Sequence, residues 1–222
     1  SMSRAPFVMG KAESAFSRSA QIYDTTIGWR FPNPVLKKLY DTHSMPQTAD
    51  NVAQDFNISR EDQDAFAVAS HQKAAKAIAA GGFRDEILPY EIETAAPDLA
   101  TGQVVHRRKV ADTDEGPRPD STIESLAKLK TVFAARGSVT AGNSSQMSDG
   151  AGAVGLMSEK AMKRHGAVPL ARFAGFAVAG VPPEIMGIGP IAAIPRVLKL
   201  AGVNQQDLGW IELNEAFAAQ AL

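Results

Sequence analysis

This chain of 222 residues contains no cysteine. Disulfides, thiolate metal sites and a cysteine nucleophile are therefore excluded within it. Long hydrophobic runs are also missing, since none approaches the ~20 residues that a bilayer-crossing helix needs. The opening residues, Ser1-Met2-Ser3-Arg4-Ala5-Pro6, lead into no apolar core, so no secretory leader is expected. Charge of one sign is not in excess. Lys and Arg total 23 against 24 Asp and Glu, a formal net charge of −1, so no global field draws in nucleic acid or an anionic membrane. The four histidines, at 43, 71, 106 and 165, have no metal-ligand spacing, and no metal site is expected. These absences imply a cytoplasmic protein with neither nucleic-acid nor membrane partners.

What is present is ordinary in bulk. The chain is 45% hydrophobic and 21% charged, enough apolar material for a sizeable core. One dense basic run, His106-Arg107-Arg108-Lys109, reads either as a solvated face or as an attractor for an anionic ligand.

Residues 1–45 have Gly, Ser and Pro scattered through them and read as irregular. Thr48 is a candidate cap for a short helix over 49–56. Ser59 with Asp62 forms a capping-box pattern for a longer helix. That helix runs through Phe66, Ala69, Ala74, Ala77 and Ile78, and Gly81-Gly82 ends it. Residues 86–92 alternate, with Leu88, Tyr90 and Ile92 on one face, and Pro89 marks an edge strand. Residues 112–120 read as a loop and 121–130 as a short helix. Residues 137–150, rich in Gly, Ser, Thr and Asn, read as a conformationally particular loop.

From Ala151 the pattern changes. Apolar runs at 151–157, 170–179 and 208–213 read as three strands. Helices over 159–164, capped by Ser158, and 190–201, closed by Gly202, lie between them. Strand–helix alternation of this kind predicts a parallel, helix-covered α/β sheet, with a domain boundary near residue 147. Ligands in such sheets sit beyond the carboxyl ends of strands. Asn214, just past the third strand, is therefore a candidate for chemistry. Its alternative role is a cap for the helix that follows.

Three motifs stand in register. They are Asn214-Glu215-Ala216-Phe217-Ala218-Ala219-Gln220, the run Gly137-Ser138-Val139-Thr140-Ala141-Gly142-Asn143-Ser144-Ser145-Gln146-Met147-Ser148-Asp149-Gly150-Ala151, and Met45-Pro46-Gln47-Thr48-Ala49-Asp50-Asn51-Val52-Ala53. Together they resemble the signatures of the thiolases, which make or break carbon–carbon bonds in 3-oxoacyl-CoA thioesters. The resemblance covers essentially the whole chain. It implies part of the α/β thiolase fold: residues 1–147 as the helical and irregular loop domain, with the end of the N-terminal half, and 148–222 as the first half of the C-terminal α/β domain. It also implies dimers or tetramers, an acyl-CoA substrate, CoA as cosubstrate, and no permanently bound cofactor.

The family's mechanism uses a Cys nucleophile, an activating His and a second Cys. None of these three groups has a match here, so the chain is expected to be an internal piece of a longer thiolase and inactive alone. Asn214 matches the Asn that helps form the family's oxyanion hole, and this favours the catalytic role over the cap. Phe217 matches an aromatic of the pantetheine tunnel, with core packing as the alternative. Ser145 matches a pantetheine contact. Arg118 and Ser125 match positions near the adenine and ribose. Leu36, Met45, Phe133 and Met186 match apolar positions along the CoA or acyl channel, where plain packing is an equal alternative. Some thiolases carry a His immediately before the Met, whereas here Ser44 separates His43 from Met45, leaving either an acyl-pocket or a surface role.

Residues 8–18 and 23–31 are similar to the β-ketoadipyl-CoA thiolases of bacterial aromatic degradation. A substrate with a distal carboxylate needs a cationic or hydrogen-bonding partner, and Lys11, Arg18, Arg30 and His43 are the candidates. The alternatives are an acetoacetyl-CoA or general 3-ketoacyl-CoA thiolase, a non-catalytic acyl-CoA carrier, and a structural oligomerisation module. A retained Asn214 argues against a carrier, which needs no oxyanion donor.

Overall fold

In the computed structural model, residues 2–12 and 14–222 are described. Ser1 and Glu13, both within segments used above, lie outside them. The first 45 residues are more ordered than expected. Strands β1 (Phe7–Met9) and β2 (Ile22–Asp24) pair antiparallel, and α1 (Pro34–Leu39) follows. Each element is only one turn or one short ladder long, too brief to leave a periodic signal in sequence.

The helix expected over 49–56 starts earlier. Helix α2 (Met45–Asp55) is capped by Ser44, whose backbone N–H donates to the Gln47 side chain at 2.8 Å. Thr48 lies inside this helix, and its hydroxyl donates to the Met45 carbonyl at 2.7 Å. Pro46 at the second helical position needs no N–H partner, and that moves the start upstream of Thr48. Helix α3 (Arg60–Ala79) starts at the expected cap, with the Asp62 N–H donating to the Ser59 hydroxyl at 3.0 Å. Its buried residues are Gln63, Asp64, Ala67 and Val68, not the neighbouring stripe through Phe66 and Ala69. Two polar residues lead the buried seam, so a search for apolar spacing finds the wrong stripe.

Strands β3 (Tyr90–Pro97) and β4 (Val104–Ala111) form an antiparallel hairpin. The ladder begins after Pro89 rather than at residue 86, because proline has no N–H to give it. The basic run lies on β4, solvent-exposed, and Arg108 pairs with Glu93 at 3.2 Å. Helix α4 (Ile123–Ala127) is capped by Thr122.

Helices α5 (Glu159–His165), α6 (Gly189–Ala201) and α7 (Ala218–Ala221) complete the chain, with 3₁₀ turns at Pro183–Ile188 and Gln205–Asp207. Left-handed Gly166 and Gly202 end α5 and α6. The three apolar runs expected as strands have no ladder among the described residues. Residues 151–157, 170–179 and 208–213 are irregular and open to solvent. A strand exists only with a hydrogen-bonding neighbour, and none of these runs meets another.

The core is correspondingly central and small. Ala49, Val52 and Ala53 of α2 are buried, as are Ala67 and Val68 of α3, Leu126 of α4, Val139, and Ala218 and Ala219 of α7. Helix α7 packs on α2 and α3, and α4 packs on α3. The chain exposes 18070 Å². A compact protein of this mass exposes roughly 9,800 Å². Large apolar side chains such as Val154, Phe173, Phe176 and Trp210 are among those left exposed.

Candidate functional site

The site is organised by a loop that has almost no apolar side chains of its own. Residues 137–145 lie against α2 and α3 and are held by buried polar groups. Asp50 of α2 accepts hydrogen bonds from the backbone N–H of Ser138 at 2.7 Å and of Val139 at 3.0 Å. A buried carboxylate at this place satisfies a buried amide, that of Val139, and a part-buried one, that of Ser138. Gly137 is required beside it, because a Cβ there would stand 2.5 Å from the Asp50 carboxylate. Gln63 of α3 donates to the Ser138 hydroxyl at 2.8 Å.

Asn143 ties the loop to α3. Its amide donates to Asp64 Oδ1 at 3.0 Å and to the Ser138 carbonyl at 3.2 Å, and its Oδ1 accepts from the Thr140 N–H at 2.8 Å. Asp64 in turn accepts from Arg60 Nε at 2.7 Å. The Arg60 guanidinium reaches on to the Leu126 carbonyl of α4 at 2.7 Å.

The loop then meets the end of the chain. The Ser145 N–H donates to the Ala216 carbonyl at 2.9 Å, and the Ala218 N–H donates to the Asn143 carbonyl at 3.0 Å. Ser144 and Phe217 form an isolated antiparallel bridge between these two bonds. Two motifs some seventy residues apart in sequence are thus joined backbone to backbone. Glu215 is pinned separately by the Ser70 hydroxyl of α3.

Asn214 lies three residues before Phe217, exposed, and its side chain makes no hydrogen bond among the described residues. The capping alternative is not observed. Helix α7 begins at Ala218, behind Phe217 in an extended conformation, with no side-chain cap. The Asn214 amide therefore remains available. Phe217 is half-buried at the bridge, and the Ser145 hydroxyl is exposed beside it, making only a 3.3 Å contact to the Gln146 carbonyl.

The other candidates lie on different supports. The Arg118 N–H donates to His71 Nδ1 of α3 at 3.2 Å, and its guanidinium is exposed and without an ion pair among the described residues. Ser125 lies on α4, where its hydroxyl is engaged in the helix cap, donating to the Thr122 carbonyl at 2.8 Å. Glu124 beside it has a carboxyl held below its ordinary range, first by its own backbone N–H and then by the Thr122 hydroxyl. Met186 is exposed on the 3₁₀ turn Pro183–Ile188. The turn is fastened to α2 where Asn51 donates to the Glu184 carbonyl at 2.8 Å. Met45 is exposed at the start of α2. Phe133 is half-buried in the segment leading to Gly137, and Leu36 is half-buried on α1. No hydrogen bond joins α1 to the junction among the described residues.

His43 is fixed near α2, with Nδ1 3.1 Å from the Asn51 amide and its carbonyl accepting from the Trp29 indole at 2.9 Å. It lines a cleft of about 470 Å³ with Gln47, Asn51, Gln54, Arg136 and Ser138. None of the nine residues matched to the oxyanion or CoA positions lines that cleft. Arg30 folds back on the Gly28 carbonyl at 2.7 Å. Among the described residues, no cluster of ligating side chains could hold a metal ion, and no helix is long and apolar enough to cross a membrane.

Inspection of the sequence missed the supports of this site: Asp50, Arg60, Gln63, Asp64 and Asn143. The available signal was polar residues at helix positions flanked by small apolar ones, as in Thr48-Ala49-Asp50 and Gln63-Asp64 before Ala67-Val68.

Comparison with known proteins agrees with the motifs that meet at this junction. Residues 1–160 match the thiolase N-terminal domain and residues 167–222 the thiolase C-terminal domain. The chain is 51% identical to the beta-ketoadipyl-CoA thiolase of Pseudomonas putida over all its length, covering 53% of that protein. It is 50% identical to the 3-oxoadipyl-CoA/3-oxo-5,6-dehydrosuberyl-CoA thiolase of Escherichia coli, again covering 53% of it. The fold superposes on human mitochondrial 3-ketoacyl-CoA thiolase in complex with CoA with a TM-score of 0.80 at 38% identity, over 99% of this chain and 51% of that one. The chain thus spans about half the length of the curated relatives it matches. With both domain signatures matched in order and the α/β thiolase fold reproduced over that half, the chain belongs to the thiolase family.

Proposed function

We propose that this chain supplies the CoA-covering loop domain and one side of the oxyanion hole of a thiolase. That enzyme cleaves a 3-oxoacyl-CoA with CoA, or runs the reverse condensation, and 3-oxoadipyl-CoA is the substrate we favour. The observation that carries the reading is the docking of the Asn214–Phe217 segment onto Ser144 and Ser145, which leaves the Asn214 amide exposed and unengaged.

The chemistry follows from charge. Cleaving or forming the bond next to a thioester carbonyl develops negative charge on the thioester oxygen. A donor already fixed there lowers the barrier without having to reorganise. An Asn amide can donate to that oxygen directly or through a water it holds. Ser145 and the backbone around it suit the pantetheine amides, and the exposed Arg118 suits the purine or phosphate end. Phe217, Phe133, Leu36, Met45 and Met186 would give the channel its apolar walls. The Cys nucleophile, the activating His and the second Cys that the family resemblance implies are not among these 222 residues. We place the division between the loop domain and the first half of the C-terminal α/β domain near residue 147. A cytoplasmic homodimer or homotetramer is the assembly we favour. No observation favours a non-catalytic carrier, for which an unengaged Asn214 has no use.

The test is a graft. Residues 1–222 replace the matched segment of the Pseudomonas putida relative, whose own flanking segments supply the rest. The graft is expected to cleave 3-oxoadipyl-CoA in a CoA-dependent manner. Asn214→Ala in that graft should lower kcat by about 100-fold at unchanged thermal stability. An inactive but folded graft sinks the proposal, as does an Asn214→Ala loss that merely tracks unfolding. Cleavage of acetoacetyl-CoA as fast as of 3-oxoadipyl-CoA would remove the dicarboxylic substrate.

A further inference from the structure

We infer that Asn143 is a positioning residue for the reaction: anchored by Asp64 and Arg60 of α3, it sets where the Asn214–Phe217 segment stands relative to the CoA-binding loop. The inference rests on the function proposed above.

Asn143 is 3% exposed, and both N–H groups of its amide are engaged. Its Oδ1 closes the tight turn by accepting from Thr140, so the side chain dictates the loop's shape. Its own carbonyl accepts the Ala218 N–H, the first bond on the far side of the bridge. One residue therefore links a rigid helix to the segment that bears the oxyanion donor. Asn143 touches neither substrate nor Asn214, and its effect is transmitted through the backbone. The required precision is high, because a shift of about 1 Å at a reacting centre can cost on the order of 100-fold in rate.

The charged groups facing Asn143 are few. From α3 they are Asp64, in contact, and Arg60 behind it. From α2, Asp50 lies on the amides of Ser138 and Val139. Helix α7 carries no ionisable side chain, and neither does the loop at residues 138–145. An isosteric change at Asn143 is therefore read chiefly against Asp64.

Asn143→Asp keeps the volume and the Thr140 contact. It removes both N–H donors and sets a second carboxylate against that of Asp64. Two carboxylates at hydrogen-bonding distance hold a shared proton to higher pH than either would alone. In the active graft, this variant should lose at least about tenfold in kcat at pH 8, with KM for the acyl-CoA changed less than about threefold. The ratio of variant to parent rate should climb as the pH falls towards 6, when the proton restores an O–H donor to the pair. Adding Asp64→Asn to Asn143→Asp re-forms the bond with donor and acceptor exchanged, and should recover part of the loss without the pH dependence.

A simple packing lesion would give neither the pH-dependent ratio nor the recovery. A folded Asn143→Asp graft with parental kcat overturns the inference. So does a rate ratio flat in pH, or a double variant no better than the single one. If Asn143→Asp alone melts below the assay temperature, the double variant decides by its kcat: near-parental supports the inference and tenfold lower overturns it. An inactive parent graft removes the proposed function, and this inference with it. An active parent with an indifferent variant removes the inference alone.

Discussion

Two regions of this molecule use their apolar residues in opposite ways. In the centre, α2, α3, α4, α7 and the 137–145 loop bury small side chains around a set of polar ones, and the loop amides of Ser138, Val139 and Thr140 find side-chain partners. In the second region, residues 151–157, 170–179 and 208–213 present larger apolar side chains, and these lie open to solvent. Apolar residues alone therefore do not make a core. What closes the centre is polar as much as apolar: helix caps, the Asp50 and Asn143 contacts, and glycine at 137. The open runs depend on a hydrogen-bonding neighbour at a distance, and that neighbour is not supplied by the described residues.

Amide exchange should show the largest contrast. The N–H groups of Val139, Thr140 and Ala218 are expected to exchange at least about a thousandfold more slowly than those of residues 151–157, as read by mass spectrometry on the 222-residue chain. Equal rates would erase the distinction. Next comes Asp50→Ala, which strands the amides of Ser138 and Val139. It should cost about 3 kcal/mol of stability in urea melts. Leu126→Ala should cost about 2–4 kcal/mol, whereas Val154→Ser, at an 86% exposed position, should stay within about 0.5 kcal/mol. In the grafted enzyme the Val154→Ser cost should rise if the rest of the protein covers that run. Gly137→Ala should cost about 2 kcal/mol, because its methyl group meets the Asp50 carboxylate.

The smallest effect lies outside both regions, in the β3–β4 turn. The Asp98 carboxyl is held below its ordinary value of 3.8, first by the Ala100 N–H and then by the Thr101 hydroxyl. A lowered folded-state pKa means that the stabilisation is fully present above the unfolded value and is lost as pH falls through the folded one. The turn should therefore loosen only below about pH 4, visible as a shift of the Gly102 amide resonance in an acid titration. Loosening at pH 6 would contradict it.

What was legible in the sequence follows the range of each interaction. Ser59, Ser158 and Gly202 mark helix ends by local chemistry, and the helices end where they say. Asn214, Ser145 and Phe217 were identified from motifs, and the structure brings them to one junction. The three C-terminal strands were read from apolar patterning, which reports a preference for extended backbone but not the presence of a partner. Asp50 and Asn143, inside the quoted motifs, and Asp64, outside them, were given no role because a buried polar residue looks, in sequence, like a surface one. Only its partners reveal it, and these lie 79 residues away for Asp64 and Asn143.

The bridge between Ser144 and Phe217 has one more consequence, for variation rather than for chemistry. Because residues 143–145 and 216–218 are fastened directly to each other, everything between them is a closed loop whose ends no longer depend on its path. Doubling such a loop raises its closure cost by only about 0.6 kcal/mol. Insertions and replacements between residues 150 and 182, ahead of the turn fastened to α2, can therefore be taken up while the clasp stays in register. Related proteins can vary that stretch in length and sequence without disturbing the residue pair at its clasp.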